Sequence, residues 1–237
     1  MVRKGPGPGE QFGSEHVVRN HGWWTGPVGW LLGRGFWNSQ IIGREHVPET
    51  GAAIVASNHI GIADGPLVHL AIPREAHIMT KVEMMRSRVG FFLRWSGEFP
   101  VDRKGGRSAL QIGLDLLRED RVIALFPEGA RGTGSGGGSK AGVAWLAQRS
   151  GAPVVPAACL NTRPAGASVN HWPGFRARPY VVFGEPITLP EDLPAGREGT
   201  ARAIEIISAG LAAHVEAAQE MTGIRLPGDE GERRKRH

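Results

Sequence analysis

An α/β layered domain is the fold this sequence predicts: a largely parallel sheet flanked by helices, with a Trp- and Gly-rich helical segment ahead of it. Three observations carry that expectation. Short apolar runs of strand length recur between residues 52 and 187. Amphipathic stretches, with apolar residues three and four apart, fall between and after them. No run reaches the roughly 18 apolar residues that a spanning helix needs. Strands that alternate with helices favour parallel pairing, because each crossover returns the chain to the same edge.

In chain order, AAIVASN (52–58) is an apolar run closed by a polar residue, and AHIMTK (76–81) is a second strand candidate. RVIALFPEG (121–129) ends at Pro-Glu-Gly, and APVVPAACL (152–160) and PYVVFGEPI (179–187) follow. Ser108 is placed to cap a helix carrying Leu110, Leu114 and Leu117 on one face. Ser139 is placed to cap another through Val143, Leu146 and Ala147. A third helix spans about 198–221, with Ile204, Ile207, Leu211, Val215 and Ala218 in register and Gly223 as its stop.

With 237 residues, 41% of them hydrophobic and 22% charged, the chain can bury a real core, which excludes global disorder. Its 35 glycines are roughly double the usual share and show no three-residue period, so they mark turns and close approaches. A net charge of +5 suits an anionic partner: phosphate, anionic lipid or nucleic acid. Basic residues interleaved with aromatics along a strand are not evident, so nucleic acid is not expected. A single cysteine, Cys159, excludes an internal disulfide and a cysteine-based zinc site. The nine histidines show no HxxxH or HExxH spacing, so no metal is expected. The first twenty residues lack the apolar core of a secretory signal.

Residues 1–20 read as a flexible arm and 226–237 as a basic tail, ending in GERRKRH. Residues 21–40 form the helical segment, and 41–225 the main domain. Trp23, Trp30 and Trp37 are seven apart, so in an α-helix they share a face, while Gly22, Gly26, Gly29 and Gly33 form a smooth second stripe. Two arrangements fit. The tryptophans anchor the protein peripherally at an anionic membrane surface, assisted by Arg34 and Arg44, or the glycine stripe packs on the core with the tryptophans buried.

The chemistry is sought at the carboxyl ends of strands. The first strand runs into Asn58-His59-Ile60-Gly61-Ile62-Ala63-Asp64. An Asp five residues after a His can fold its carboxylate back onto one ring nitrogen, fixing the tautomer and leaving the other nitrogen as a general base. Alternatively, Asp64 simply caps the first turn of a helix. Beyond the third strand, Phe126-Pro127-Glu128-Gly129-Ala130-Arg131 sets a guanidinium fork on Gly-freed backbone, suited to phosphate or carboxylate. Asp102-Arg103-Lys104-Gly105-Gly106-Arg107 makes a second anion cradle, or a solvated basic turn. The stretch Gly132 to Ala141 superficially suggests a nucleotide phosphate loop. Ser139 precedes Lys140 and Ala141 follows, however, so the glycine and the magnesium hydroxyl of such a loop are absent.

Four blocks occur in order: Asn58-His59 with Asp64; Gly97-x-Phe99-Pro100-Val101-x-Arg103; Phe126-Pro127-Glu128-Gly129-x-Arg131; and Val154-Val155-Pro156. Together they resemble the glycerophospholipid acyltransferase family, the lysophosphatidate acyltransferase type, over about residues 50–165. Two departures stand out. Ala130 and Gly132 occupy positions where the family commonly has Thr and Ser, and a long hydrophobic N-terminal segment is missing.

The resemblance implies a glycerol-phosphate acyltransferase-like domain at the cytoplasmic face of the cell membrane. It implies transfer of a fatty acyl chain from acyl-CoA or acyl carrier protein to a hydroxyl of lysophosphatidate or glycerol 3-phosphate, with no cofactor beyond the thioester donor. His59 would be the base and Asp64 its orienting partner. Arg103, Lys104, Arg131, Lys140 and the amide of Gly129 would hold the acceptor phosphate, and Glu128 would orient a hydroxyl or Arg131. Backbone amides near the fourth block would hold the oxyanion, and Met79, Met84, Met85, Phe91 and Phe92 would line an acyl tunnel. Another lipid or glycolipid acceptor, or a non-catalytic lipid-binding domain, are the rival readings.

Overall fold

The computed structural model describes residues 12–101, 106–128, 141–194 and 196–228. Within them the strands are β1 (Gln40–Ile42), β2 (Ala53–Ser57), β3 (Ala76–Lys81), β4 (Phe99–Val101), β5 (Val122–Leu125), β6 (Val154–Leu160) and β7 (Tyr180–Phe183). They form one sheet in the order β1-β7-β6-β2-β5-β3-β4. Every pairing is parallel except β6 with β7. The helices are α1 (Gly22–Trp30), continued by a π-helix (Leu31–Trp37), then α2 (Asp64–Ala71), α3 (Val82–Arg86), α4 (Gly90–Trp95), α5 (Gly106–Arg118), α6 (Ala141–Ser150) and α7 (Arg197–Thr222).

The layered α/β fold is as the alternation predicts. β2 is buried along its whole length between β5 and β6. Its alternate residues serve two cores, as the two-residue period of a strand requires. Ile54 and Ala56 pack with Ile112 and Leu116 of α5, Leu146 of α6 and Ile207 of α7. Ala53 and Val55 pack with Leu67 and Val68 of α2 and with Trp37. Helices therefore cover both faces, which is what a parallel sheet of apolar strands needs.

All five expected strands form, β3 with the bounds expected and the other four shorter, and α7 stops at Gly223 in the left-handed conformation, φ 71°. The short edge strands β1 and β4 and the helices α1 to α4 carry little periodicity and depend on tertiary contacts. Pro100 is tolerated in β4 because that strand pairs only with β3. α5 begins at Gly106, two residues ahead of the expected Ser108 cap, and the Ser139 cap lies outside the described residues.

Three expectations about the termini are corrected. Residues 12–20 are not a free arm: Val17 is buried in the core, and Arg19 pairs with Glu119 at 2.7 Å. Charge and glycine content suggested mobility, but a single buried valine and a two-pronged Arg–Glu contact are enough to dock a short segment. Leu226 is core, not tail; it packs with Ile60, Val215 and Ala218. The rest of the basic tail, 229–237, lies outside the described residues, as does residue 1–11 of the arm. The three tryptophans do not share a face: Trp23 and Trp30 are exposed, whereas Trp37 is fully buried and its indole donates to the Pro173 carbonyl at 3.0 Å. The i→i+5 bonding of the π-helix widens each turn, so a step of seven from Trp30 no longer returns to the same side. The glycine stripe packs inward only in part: Gly29 and Gly33 are buried, whereas Gly26 is exposed with nothing near it, and a Cβ on Gly29 would sit 2.6 Å from the end of the Leu70 side chain of α2, which would have to shift.

Candidate active site

His59 follows β2 by two residues, and Asp64 opens α2. The intervening turn brings Asp64 Oδ2 to 2.9 Å from His59 Nδ1. The same oxygen accepts the amides of Ile60 and Gly61 at 2.6 and 2.8 Å. The other oxygen, Oδ1, accepts the hydroxyl of Thr162 at 2.5 Å. Asp64 is wholly buried, and four donors meet its carboxylate. A buried carboxylate needs such satisfaction. Asp64 therefore ties down the turn ahead of α2 and orients the imidazole; it does not cap the first turn of the helix itself.

The His59 side chain is 15% exposed, so a small group can reach it. With Nδ1–H donating to Asp64, Nε2 carries the basic lone pair. The ring lies against Phe126, with centroids 4.2 Å apart and planes 22° from parallel. Phe126 directly follows β5, the strand beside β2, so parallel pairing places the third sequence block next to the first. Glu128 lies two residues further on and is half-buried.

Sequence reasoning missed two supports of this arrangement. Thr162 stands just beyond β6, 98 residues from Asp64, and no local pattern marks it. Asn58 ties β2 to β6. Its Oδ1 accepts the Cys159 amide at 2.6 Å, and its Nδ2 donates to the Cys159 carbonyl at 3.1 Å. Asn58 thus extends the β2–β6 ladder through a side chain and holds His59 at the sheet end. Cys159 itself is buried, which pushes its thiol well above the usual range, with the Asp64 charge adding to the effect.

The expected phosphate-binding residues Arg103, Lys104, Gly129, Arg131 and Lys140 lie outside the described residues. The described ends of their segments, Val101 of β4 and Glu128 after β5, leave the same end of the sheet as His59. The fourth block does not reach the site. Val154, Val155 and Pro156 pair with residues 54–56, upstream of His59; Val154 donates its amide to Ile187 and Pro156 has none. Of the expected tunnel residues, Met85 on α3 is buried, Met79 and Met84 are half-buried, and Phe91 and Phe92 are exposed on α4. Among the described residues a cavity of about 760 Å³ lies instead between α1, the π-helix and the far half of α2, lined by Gly29, Leu67, Leu70 and Arg74 but not by His59 or Asp64. No group of three or more His, Cys, Asp or Glu able to hold a metal occurs among the described residues.

A histidine and a buried carboxylate at the carboxyl end of a central parallel strand, in a helix-covered α/β layer, define an acyltransferase-like class of site. Residues 38–160, just over half the chain, match the family model for acyltransferases, and the chain belongs to that family. The 1-acyl-sn-glycerol-3-phosphate acyltransferase of Bacillus subtilis (strain 168) is 33% identical over 122 residues, 50% of this chain and 61% of that protein. The protein of the same name from Streptococcus pneumoniae is 26% identical over 130 residues, 54% of this chain and 46% of its own. The chain thus spans about half to three-fifths of the length of these relatives. The crystal structure of the 1-acyl-sn-glycerophosphate acyltransferase PlsC from Thermotoga maritima superposes with a TM-score of 0.59 over 81% of this chain and 79% of that one, at 21% identity, and so shares the fold.

Proposed function

We propose that this protein is an O-acyltransferase that moves a fatty acyl chain from a thioester, acyl-CoA or acyl carrier protein, to a free hydroxyl of lysophosphatidate or glycerol 3-phosphate. The observation that carries the reading is the His59–Asp64 pair, with the ring nitrogen of His59 opposite Asp64 facing out of the sheet end. His59 Nε2 takes the proton of the acceptor hydroxyl as its oxygen attacks the thioester carbonyl. The tetrahedral oxyanion then collapses, expelling the thiolate, which recovers the proton from His59. Asp64 keeps Nδ1–H in place and offsets the imidazolium charge that exists between those steps. No acyl-enzyme is needed.

Arg103, Lys104, Arg131, Lys140 and the Gly129 amide hold the acceptor phosphate, and Glu128 orients the acceptor hydroxyl or Arg131. The support is that both segments leave the sheet end that carries His59, and that a guanidinium fork matches a phosphate. The lipid product requires contact with a bilayer, and no helix among the described residues is long and apolar enough to cross one. We place attachment peripherally, at the cytoplasmic face where the thioester donors are, through the exposed Trp23 and Trp30 of residues 22–37. Names of relatives sharing part of this chain support the acceptor class.

The test is acyl transfer by purified protein, with each donor offered to each acceptor. Turnover of lysophosphatidate, lost in His59→Ala, supports the reading. Turnover that survives in His59→Ala rejects the mechanism. Selective rise of the acceptor KM in Arg131→Ala assigns the phosphate contact, whereas a raised donor KM moves Arg131 to the donor's phosphates.

A further inference from the structure

α1 and the π-helix form one helical rod, residues 22–37, that crosses over α2 through Gly29 and Leu70. At its start, Trp24 stacks on Trp95 of α4, with centroids 4.0 Å apart, and meets Phe92 edge-on. Trp23 also meets Trp95 edge-on. At its end, Phe36 contacts Phe175 and Trp37 contacts Trp172, both in the loop 168–178. The rod therefore bridges the β3–β4 side of the sheet, where α4 lies, and the β1 edge it leads into. Inward-facing aromatics tie three separate segments into one surface.

The outward side of the same three segments is apolar. Trp23 is 72% exposed and Trp30 68%, with Leu31 and Phe36 beside them. Phe91 of α4 is 60% exposed, flanked by exposed Val89 and Phe92. Phe175 is 67% exposed, with Trp172 nearby. Exposed large apolar groups gathered this way mark an interaction surface. Within these three segments the charges are mostly positive. Residues 22–37, 82–95 and 168–178 contain Arg34, Arg86, Arg88, Arg94, Arg176 and Arg178 against Glu83 alone. Of these arginines all but Arg94 are exposed. Aromatic groups ringed by arginine match an anionic bilayer, where tryptophan sits at headgroup depth and each basic group adds about 1 kcal/mol of attraction.

We propose that the membrane-docking surface is a three-part platform, in which α4 and the loop 168–178 flank residues 22–37 and insert Phe91 and Phe175 into the interface of an anionic bilayer. This rests on the lipid-acceptor reading and names the surface that presents the enzyme to its acceptor. Two supports at opposite ends of a rod fix its tilt as well as its attachment. A single segment would leave the protein free to roll about its axis.

Co-sedimentation of the full chain with phosphatidylcholine vesicles, with and without phosphatidylglycerol, tests it. Phe91→Glu and Phe175→Glu should each weaken binding to the anionic vesicles about tenfold or more, and together by about the product, because the two sites are far apart. Replacing Arg86, Arg88, Arg176 and Arg178 by Gln should flatten the dependence on salt. Unchanged binding in the Phe91→Glu, Phe175→Glu double variant, with loss in Trp23→Ala, Trp30→Ala, confines attachment to 22–37 and overturns the proposal. Absence of vesicle binding by the parent protein overturns it too, as does a dimer in solution that these variants dissociate without a change in vesicle binding. Quenching of tryptophan emission by brominated acyl chains serves where a variant unfolds: Trp172→Phe should remove part of the quenched emission, and an unaltered quenched fraction rejects the role of the loop. Turnover of a short-chain, water-soluble acceptor separates the two readings. It should persist in the Phe91 and Phe175 variants; its absence in the parent protein rejects the acyltransferase reading while the vesicle result still judges the platform.

Discussion

α2 carries a histidine neighbourhood at each end, and the two differ in almost every physical respect. At its start, His59 has a carboxylate on Nδ1, a route to solvent and an aromatic floor in Phe126. Towards its end, His69 sits with His21 and His77 in a cluster whose ring centroids are 5.3–5.5 Å from His21. No carboxylate among the described residues is seen to bind these rings. Burial pushes His21 and His69 down to about 4 and His77 to about 3, with the Arg121 charge lowering His21 and His77 further. His77 Nδ1–H donates to the Gly97 carbonyl at 2.8 Å, which makes Nδ1 the protonated nitrogen. The cluster is neutral packing that joins α1, α2 and β3. In the mechanism we propose, His59 transfers protons because a buried anion holds it at the strand end. The same residue type without that anion is a wedge in the core.

The sharpest way to break this comparison is to exchange the two roles. His59→Ala should lower turnover by about 10²–10⁴, with little change in thermal stability. His77→Ala should do the reverse, lowering the melting temperature while sparing turnover at a temperature where the protein stays folded. Equal effects of both substitutions on turnover would erase the distinction. Asp64→Asn comes next: an amide cannot accept from all four donors, so turnover should fall steeply and the turn at Ile60 and Gly61 should loosen, as amide hydrogen exchange would reveal.

Thr162 gives a smaller, more discriminating effect. Thr162→Val leaves Asp64 Oδ1 without its hydroxyl, and a buried acceptor left unpaired costs about 1–3 kcal/mol. We expect kcat to fall about tenfold with KM unaltered, and Thr162→Ser to restore it. A loss that Ser does not repair would make the threonine methyl, not the hydroxyl, the contributor.

The smallest effect is the dependence of stability on pH. Because His21, His69 and His77 bind protons more weakly when folded, stability is fully present above the unfolded pKa of about 6.5 and declines as pH falls towards about 4. Glu98 opposes this. Burial raises its carboxyl to about 7, with the Thr80 hydroxyl pulling the other way, so between about 7 and 4.5 acidification favours the folded state. Three histidines outweigh one glutamate, and denaturant melts should show net destabilisation below pH 6. Glu98→Gln should steepen that decline. A flat profile from pH 8 to 5 would contradict the neutral cluster.

Much of this was legible without coordinates because it is local or periodic. The five apolar strands and the register of Ile204, Ile207 and Leu211 follow from side-chain periods of two and 3.6. The His59–Asp64 pair was legible because five residues of turn are enough to bring both groups together. The resemblance of the four blocks anticipated the family. By contrast, the π-helix that turns Trp37 into the core, the docking of Val17 and Leu226, and the edge strands β1 and β4 arise from contacts between distant segments and leave no periodic trace.

The amino-acid sequence by itself determined the layered α/β class, the pairing of His59 with Asp64, and the basic balance, since each depends on residue type and short spacing. Only the tertiary structure decided that Thr162 completes the Asp64 carboxylate, that the fourth block lies upstream of the site, and which tryptophans face outward. The physical reason is the parallel sheet. It brings residues about a hundred positions apart into hydrogen-bonding contact, and which strand neighbours which is set by the packing of whole helices, not by any local segment.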